Sequence, residues 1–114
     1  MFEKTLLSNL IYNEDFTRKT LPFIKPDFFR NKDEVTLFNI INAFVVKYNN
    51  LPTKEAIEIE LSNNKTLTED EYKNTKTLLN SLQHEDVEQQ WLLDTTEKFC
   101  KDRAVYNAVL QGIK

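Results

Sequence analysis

The 114-residue chain has one glycine, Gly112, and three prolines. So little turn punctuation argues against all-β and α/β folds, which change direction often. A single glycine also excludes the glycine-rich phosphate loops GxGxxG and GxxxxGK[ST], each of which needs at least two. Cys100 is the one cysteine, so no internal disulfide can form, and a reducing compartment is expected. His84 is the one histidine, and no second histidine or cysteine lies near it to build a common metal site. An excess of basic charge is missing too. The formal net charge is −3, and lysines alternate with acids in Glu3-Lys4, Lys32-Asp33-Glu34 and Lys101-Asp102-Arg103 rather than forming a stripe that would track phosphates. No apolar run approaches the roughly 20 residues that span a bilayer, and the first residues lack a signal-peptide cleavage pattern. A soluble cytoplasmic chain with no catalytic, metal or cofactor site is the expectation.

What the chain does have is helical periodicity. Phe2, Leu6, Leu7, Leu10 and Ile11 predict a first helix over 2–12. Asn13 or Asp15 caps a short second helix carrying Phe16, which ends before Pro22. In the aromatic connector 22–29, Phe23, Ile24, Phe28 and Phe29 are read as core plugs. Asn31-x-x-Glu34 has the form of a capping box. It opens a helix running to Tyr48, in which Leu37, Phe38, Ile40, Ile41, Phe44, Val45 and Tyr48 form a stripe wide enough for the central helix of a core. Thr53 caps a helix over 54–61 that turns Ala56, Ile57 and Leu61 inward. A second box, Thr68-x-x-Glu71, opens a helix with Tyr72, Thr75, Leu78, Leu79 and Leu82 on one face. The acid clusters Glu69/Asp70/Glu71 and Glu85/Asp86 fall at predicted helix N-termini, where they complement the helix dipole without any catalytic role. The fold class is therefore all-α: a compact bundle of about six helices and no strands. Residues 1–85 make a globular head, and 86–114 a long terminal helix of the same domain.

That terminal helix, capped by Asp86, runs for roughly 26 residues, or about 39 Å at 1.5 Å per residue. A domain of this size has a diameter of about 34 Å, so part of the helix should project and need a partner. Its broad apolar face contains Val87, Trp91, Leu92, Phe99, Val105, Tyr106, Val109, Leu110 and Ile113. A weaker face holds Leu93, Cys100, Ala104 and Ala108, and its small residues permit close helix approach. Trp91, Phe99, Ala104, Val105, Tyr106, Ala108, Val109, Leu110 and Ile113 are the candidate protein-interface residues, Tyr and Trp being common interface anchors. Lys98, Lys101 and Arg103 form a basic group at mid-helix, read as a solvated face or as a contact for an acidic partner.

With these residues placed on helices, the pattern resembles the N-terminal domain of DnaB-type hexameric replicative helicases, among them those of T-even-like bacteriophages. The resemblance is carried by Leu10-Ile11-Tyr12-Asn13, Asp27-Phe28-Phe29, Leu37-Phe38-x-x-Ile41, Leu51-Pro52-Thr53, Glu69-x-Glu71-Tyr72-x-x-x-Lys76-Thr77-Leu78, Trp91-Leu92, Thr96-Glu97-Lys98-Phe99 and Arg103-Ala104-x-x-Asn107-Ala108. It implies an all-α head followed by a helical hairpin, of which the long terminal helix would be the first arm and whose returning helix lies beyond this sequence. It also implies a collar that holds a hexamer and docks primase and, in some systems, a helicase loader, at the replication fork in the cytoplasm of a bacterial host. The ATPase motor of such a protein lies elsewhere in its chain. Two other readings compete: a free-standing helical phage regulator that binds nucleic acid, and a hydrolase using His84 or Cys100. The interspersed charges weigh against the first and the missing catalytic constellation against the second.

Overall fold

The computed structural model describes residues 1–112, and among them every regular element is helical. The candidate residue Ile113 lies outside the described residues. The order is α1 (Phe2–Tyr12), α2 (Glu14–Thr20), two 3₁₀ turns (Leu21–Phe23 and Pro26–Phe28), α3 (Lys32–Tyr48), α4 (Lys54–Ser62), α5 (Glu69–Ser81) and α6 (Gln89–Leu110). The six helices enclose one core in which Leu6, Leu7, Leu10, Phe16, Leu37, Phe38, Ile41, Ile57, Leu79, Leu82 and Leu92 are fully buried.

Side chains set most helix starts. The Asn13 side chain accepts from the Phe16 amide and begins α2 directly after α1. Thr53 does the same for Ala56 in α4. At α5 the box is complete: Glu71 N donates to Thr68 Oγ1 at 3.1 Å, and Thr68 N donates to Glu71 Oε1 at 2.9 Å. At α3 the Asn31 amide donates to Glu34 Oε1, while the Glu34 amide turns to Asp33 Oδ1. Asn49 ends α3 in the left-handed conformation, φ 55°, which asparagine tolerates better than most residues. Arg18 clasps it, donating to Asn49 Oδ1 and to its carbonyl, and so fastens α2 to the end of α3.

Three expectations are corrected. The terminal helix begins at Gln89, capped by the Glu88 carboxylate on the amides of Gln90 and Trp91, not at Asp86. Residues 82–88 stay non-helical, with buried Leu82 and half-buried Val87 packed on the core. An extended residue covers about 3.3 Å against 1.5 Å in a helix, so this segment links α5 to α6 with few residues. Glu85 and Asp86 therefore cap nothing. In the connector, Ile24, Phe28 and Phe29 are buried as expected, but Phe23 is 72% exposed. A 3₁₀ turn repeats every three residues, so buried Leu21 and Ile24 share a side and Phe23 faces away. The apolar stripe of α3 is buried only in its first half: Leu37, Phe38 and Ile41 are enclosed, Ile40, Phe44 and Val45 are half-buried, and Tyr48 is exposed.

Candidate functional site

The long helix α6 is where sequence and structure part most informatively. Its 22 residues span about 33 Å at 1.5 Å per residue, against a longest molecular dimension of 40 Å. The inward stripe is Leu92, Thr96, Phe99, Arg103 and Asn107, at successive spacings of 4, 3, 4 and 4. Its first three members are buried and the last two half-buried. Leu92 and Phe99 fill the core, and the Phe99 ring packs against Phe2 and Phe29 at 5.6 and 6.1 Å between centroids. Phe99 thus belongs to the interior of the single chain. Trp91 stands edge-on to Phe2 and is half exposed.

Beyond Phe99 the stripe continues with polar residues. Arg103 Nη1 donates to the Phe28 carbonyl at 2.6 Å, and Nη2 donates to Glu3 Oε2 at 2.8 Å. The guanidinium also lies over the Phe99 ring, 4.7 Å from its centroid. One turn on, Asn107 Nδ2 donates to the Asp27 carbonyl at 2.9 Å. Arg30 donates back to Asn107 Oδ1 at 3.4 Å and stacks on Tyr106, 4.2 Å from the ring centroid. The connector therefore presents two main-chain carbonyls to the helix, and only donors can face them. That is why Arg103 and Asn107 point inward and the valines do not. Burial pushes the Glu3 carboxyl up, but hydrogen bonds from the terminal ammonium, its own backbone amide and Arg103 outweigh it and hold the group at about 2.

As the helix is rotated this way, its last turns carry apolar side chains outward. Val105 is 65% exposed, Tyr106 50%, Val109 69% and Leu110 64%. Ala104 is exposed and Ala108 half-buried beside them. Lys98 and Lys101, by contrast, pair with Asp102 and Glu97 one turn away, and Arg103 is spent on Glu3. The basic group expected at mid-helix is thus divided between two solvated pairs and one internal tether.

On the weaker face of α6, Leu93, Cys100 and Ala104 wall a groove of about 630 Å³ whose opposite side is Phe23 and Phe28. Burial pushes the Cys100 thiol up, which disfavours the thiolate that a nucleophile needs. His84 rests edge-on against Tyr12. Among the described residues no three His, Cys, Asp or Glu side chains come together as metal ligands would, and no helix is long and apolar enough to cross a membrane.

The functional signal that periodicity missed is Arg103 and Asn107. A reading that scores only hydrophobicity assigns the inward face to Val105 and Val109. The i, i+4 continuation of Leu92, Thr96 and Phe99 is the pattern that identifies the two tethers.

No protein-family model matches the chain. Over 109 residues, 96% of its length, it is 31% identical to a DnaB-like replicative helicase of Enterobacteria phage T4. It spans 23% of that protein, less than a quarter, a share consistent with an N-terminal domain. An all-helical chain with one buried core is thus similar, along nearly its whole length, to part of a DnaB-like replicative helicase.

Proposed function

We propose that this chain is the N-terminal collar domain of a phage replicative helicase, a non-catalytic module that assembles subunits and docks primase or a loader. The observation that carries the reading is the outward apolar end of α6. Val105, Tyr106, Val109 and Leu110 are exposed within two turns, on a helix held in place by its other face. Apolar side chains clustered in this way mark protein contacts more often than bare surface, and tyrosine is a frequent anchor. Ala104 and Ala108 flank them and allow a second helix to approach closely. Trp91 lies on the same outward side about four turns earlier, while Phe99 is buried in the core on the other face. Chains meet through this stripe, and helicase chemistry resides in the remainder of the parent protein. The site of action is the replication fork in the cytoplasm of an infected bacterium.

Light scattering over a concentration series tests the assembly role. Self-association should appear at high concentration and weaken at least tenfold in Val109→Asp and Tyr106→Asp. A monomer at every concentration, together with no binding of the cognate primase to the immobilised domain, would sink the reading.

A further inference from the structure

The proximal half of α6 is anchored by apolar burial: Leu92 is 0% exposed, Thr96 3% and Phe99 8%. From Lys101 to Leu110 no residue is buried, and the half-buried ones are Arg103, Asn107 and Ala108. The distal half is therefore held by directional polar bonds to residues 27–30 and to Glu3 of α1. Those bonds are Arg103 to the Phe28 carbonyl and to Glu3, Asn107 to the Asp27 carbonyl, and Arg30 reaching back to Asn107 and Tyr106.

We propose that these contacts form a releasable latch, so that opening it frees residues 101–110 from the head while the head stays folded. The physical ground is the difference between the two halves. Removing Phe99 from the core would expose apolar surface on Phe2 of α1 and on Phe29 after the connector turn, a cost proportional to area. Opening the latch exposes donors and acceptors that water can satisfy, leaving only a modest net loss per bond. Once unlatched, the distal half has no packing of its own, and helical segments shorter than about 12 residues are marginal in water. It then frays or swings about the last apolar anchor at Phe99. The position and order of the outward stripe Val105–Leu110 follow the state of the latch. Arg103 and Asn107 are thus positioning residues for that surface and not part of it. The inference concerns a single chain and stands apart from the collar reading.

Amide hydrogen exchange on the wild type and on Asn107→Ala, at concentrations where light scattering finds one chain, reads the latch directly. The Asn107 side chain lies at the rim of the contact, so its removal leaves the core intact. Protection of amides 103–110 should fall at least tenfold, with protection in α1 and α3 unchanged. Arg103→Lys, which keeps the charge but not the two-pronged donor geometry, should give a partial fall over the same residues. Unchanged distal protection in both variants would overturn the latch. So would an equal loss across α1, α3 and α6, because the helix would then open only with the whole domain. Self-association is measured separately, so losing one reading leaves the other standing.

Discussion

Arg103 keeps only 19% of its side chain in contact with solvent and faces a Glu3 carboxylate that is 10% exposed. A pair this enclosed gains from mutual attraction and loses by desolvation, and the balance depends on every remaining donor and acceptor being satisfied. Here the second guanidinium prong finds the Phe28 carbonyl, and the second carboxylate oxygen takes the terminal ammonium. The consequence is legible in pH. Glu3 has a folded-state value of about 2 against an ordinary 4.5. A depressed acid contributes its full stability above the unfolded value and loses it as pH falls through the folded one. Glu34 runs the other way, raised first by burial and then by the charges of Glu3 and Asp33 against the opposing Asn31 amide, so its contribution weakens as pH rises above 4.5. Thermal melts between pH 5 and 2 should show a steep fall in midpoint for the wild type. Glu3→Gln should flatten that fall, and an identical slope in both would contradict the assignment. Thr96 makes the opposite case: its Oγ1 is buried without a hydrogen-bond partner. Replacing an unsatisfied hydroxyl with a methyl of the same shape costs little and relieves a desolvation penalty. Thr96→Val should therefore leave urea-unfolding stability unchanged or raise it by up to about 1 kcal/mol. A loss of comparable size would show that the hydroxyl has a partner in solution.

Helix limits were readable wherever a capping side chain did its usual work. Thr53 and Thr68 stand where the sequence predicts, Asn13 is one of the two caps it offers for α2, and each accepts the amide expected of it. The start of α6 was not readable, because its cap is a glutamate, a residue whose longer side chain is uncommon in that role. The nearby Asp86 offered a more conventional signal with no helix behind it. The rotation of α6 was hidden for a different reason. Its inward face is set by what the connector offers, two backbone carbonyls, and local periodicity carries no record of an element some 75 residues away. Asn13 joins caps to packing in one residue. It begins α2 and also donates to Gln89 Oε1 in the first turn of α6. Asn13→Ala should cost about 1–2 kcal/mol, at the upper end for a cap, with the excess over Thr53→Ala reporting the bond to Gln89. Equal costs for the two substitutions, measured by urea unfolding, would show that the bond to α6 adds nothing.

For the whole molecule, the all-α class and the single core followed from scarce glycine and strong periodicity, and the likeness to a replicative helicase followed from ordered motifs spread along the chain. The outward stripe could be suspected from sequence, but the division of α6 into an apolar anchor and a polar latch required the three-dimensional contacts. Leu92 and Phe99 close the core from the far end of the sequence, each contributing about 1.5–3 kcal/mol of burial to a domain whose total stability is about 5–15 kcal/mol. A chain ending at residue 88 should therefore keep helical circular dichroism but lose a cooperative melt. A sharp two-state transition in that fragment would show that the head closes without α6. The pairing of Glu3 with Arg103 also bears on how the chain reaches its shape. The two residues lie 100 positions apart, so α1 must wait for five further helices before its acidic side chain meets its counterion. Contacts of such separation carry the largest loop-closure cost and form late. During synthesis α1 leaves the ribosome long before α6, and the ring of contacts closes only when α6 has emerged.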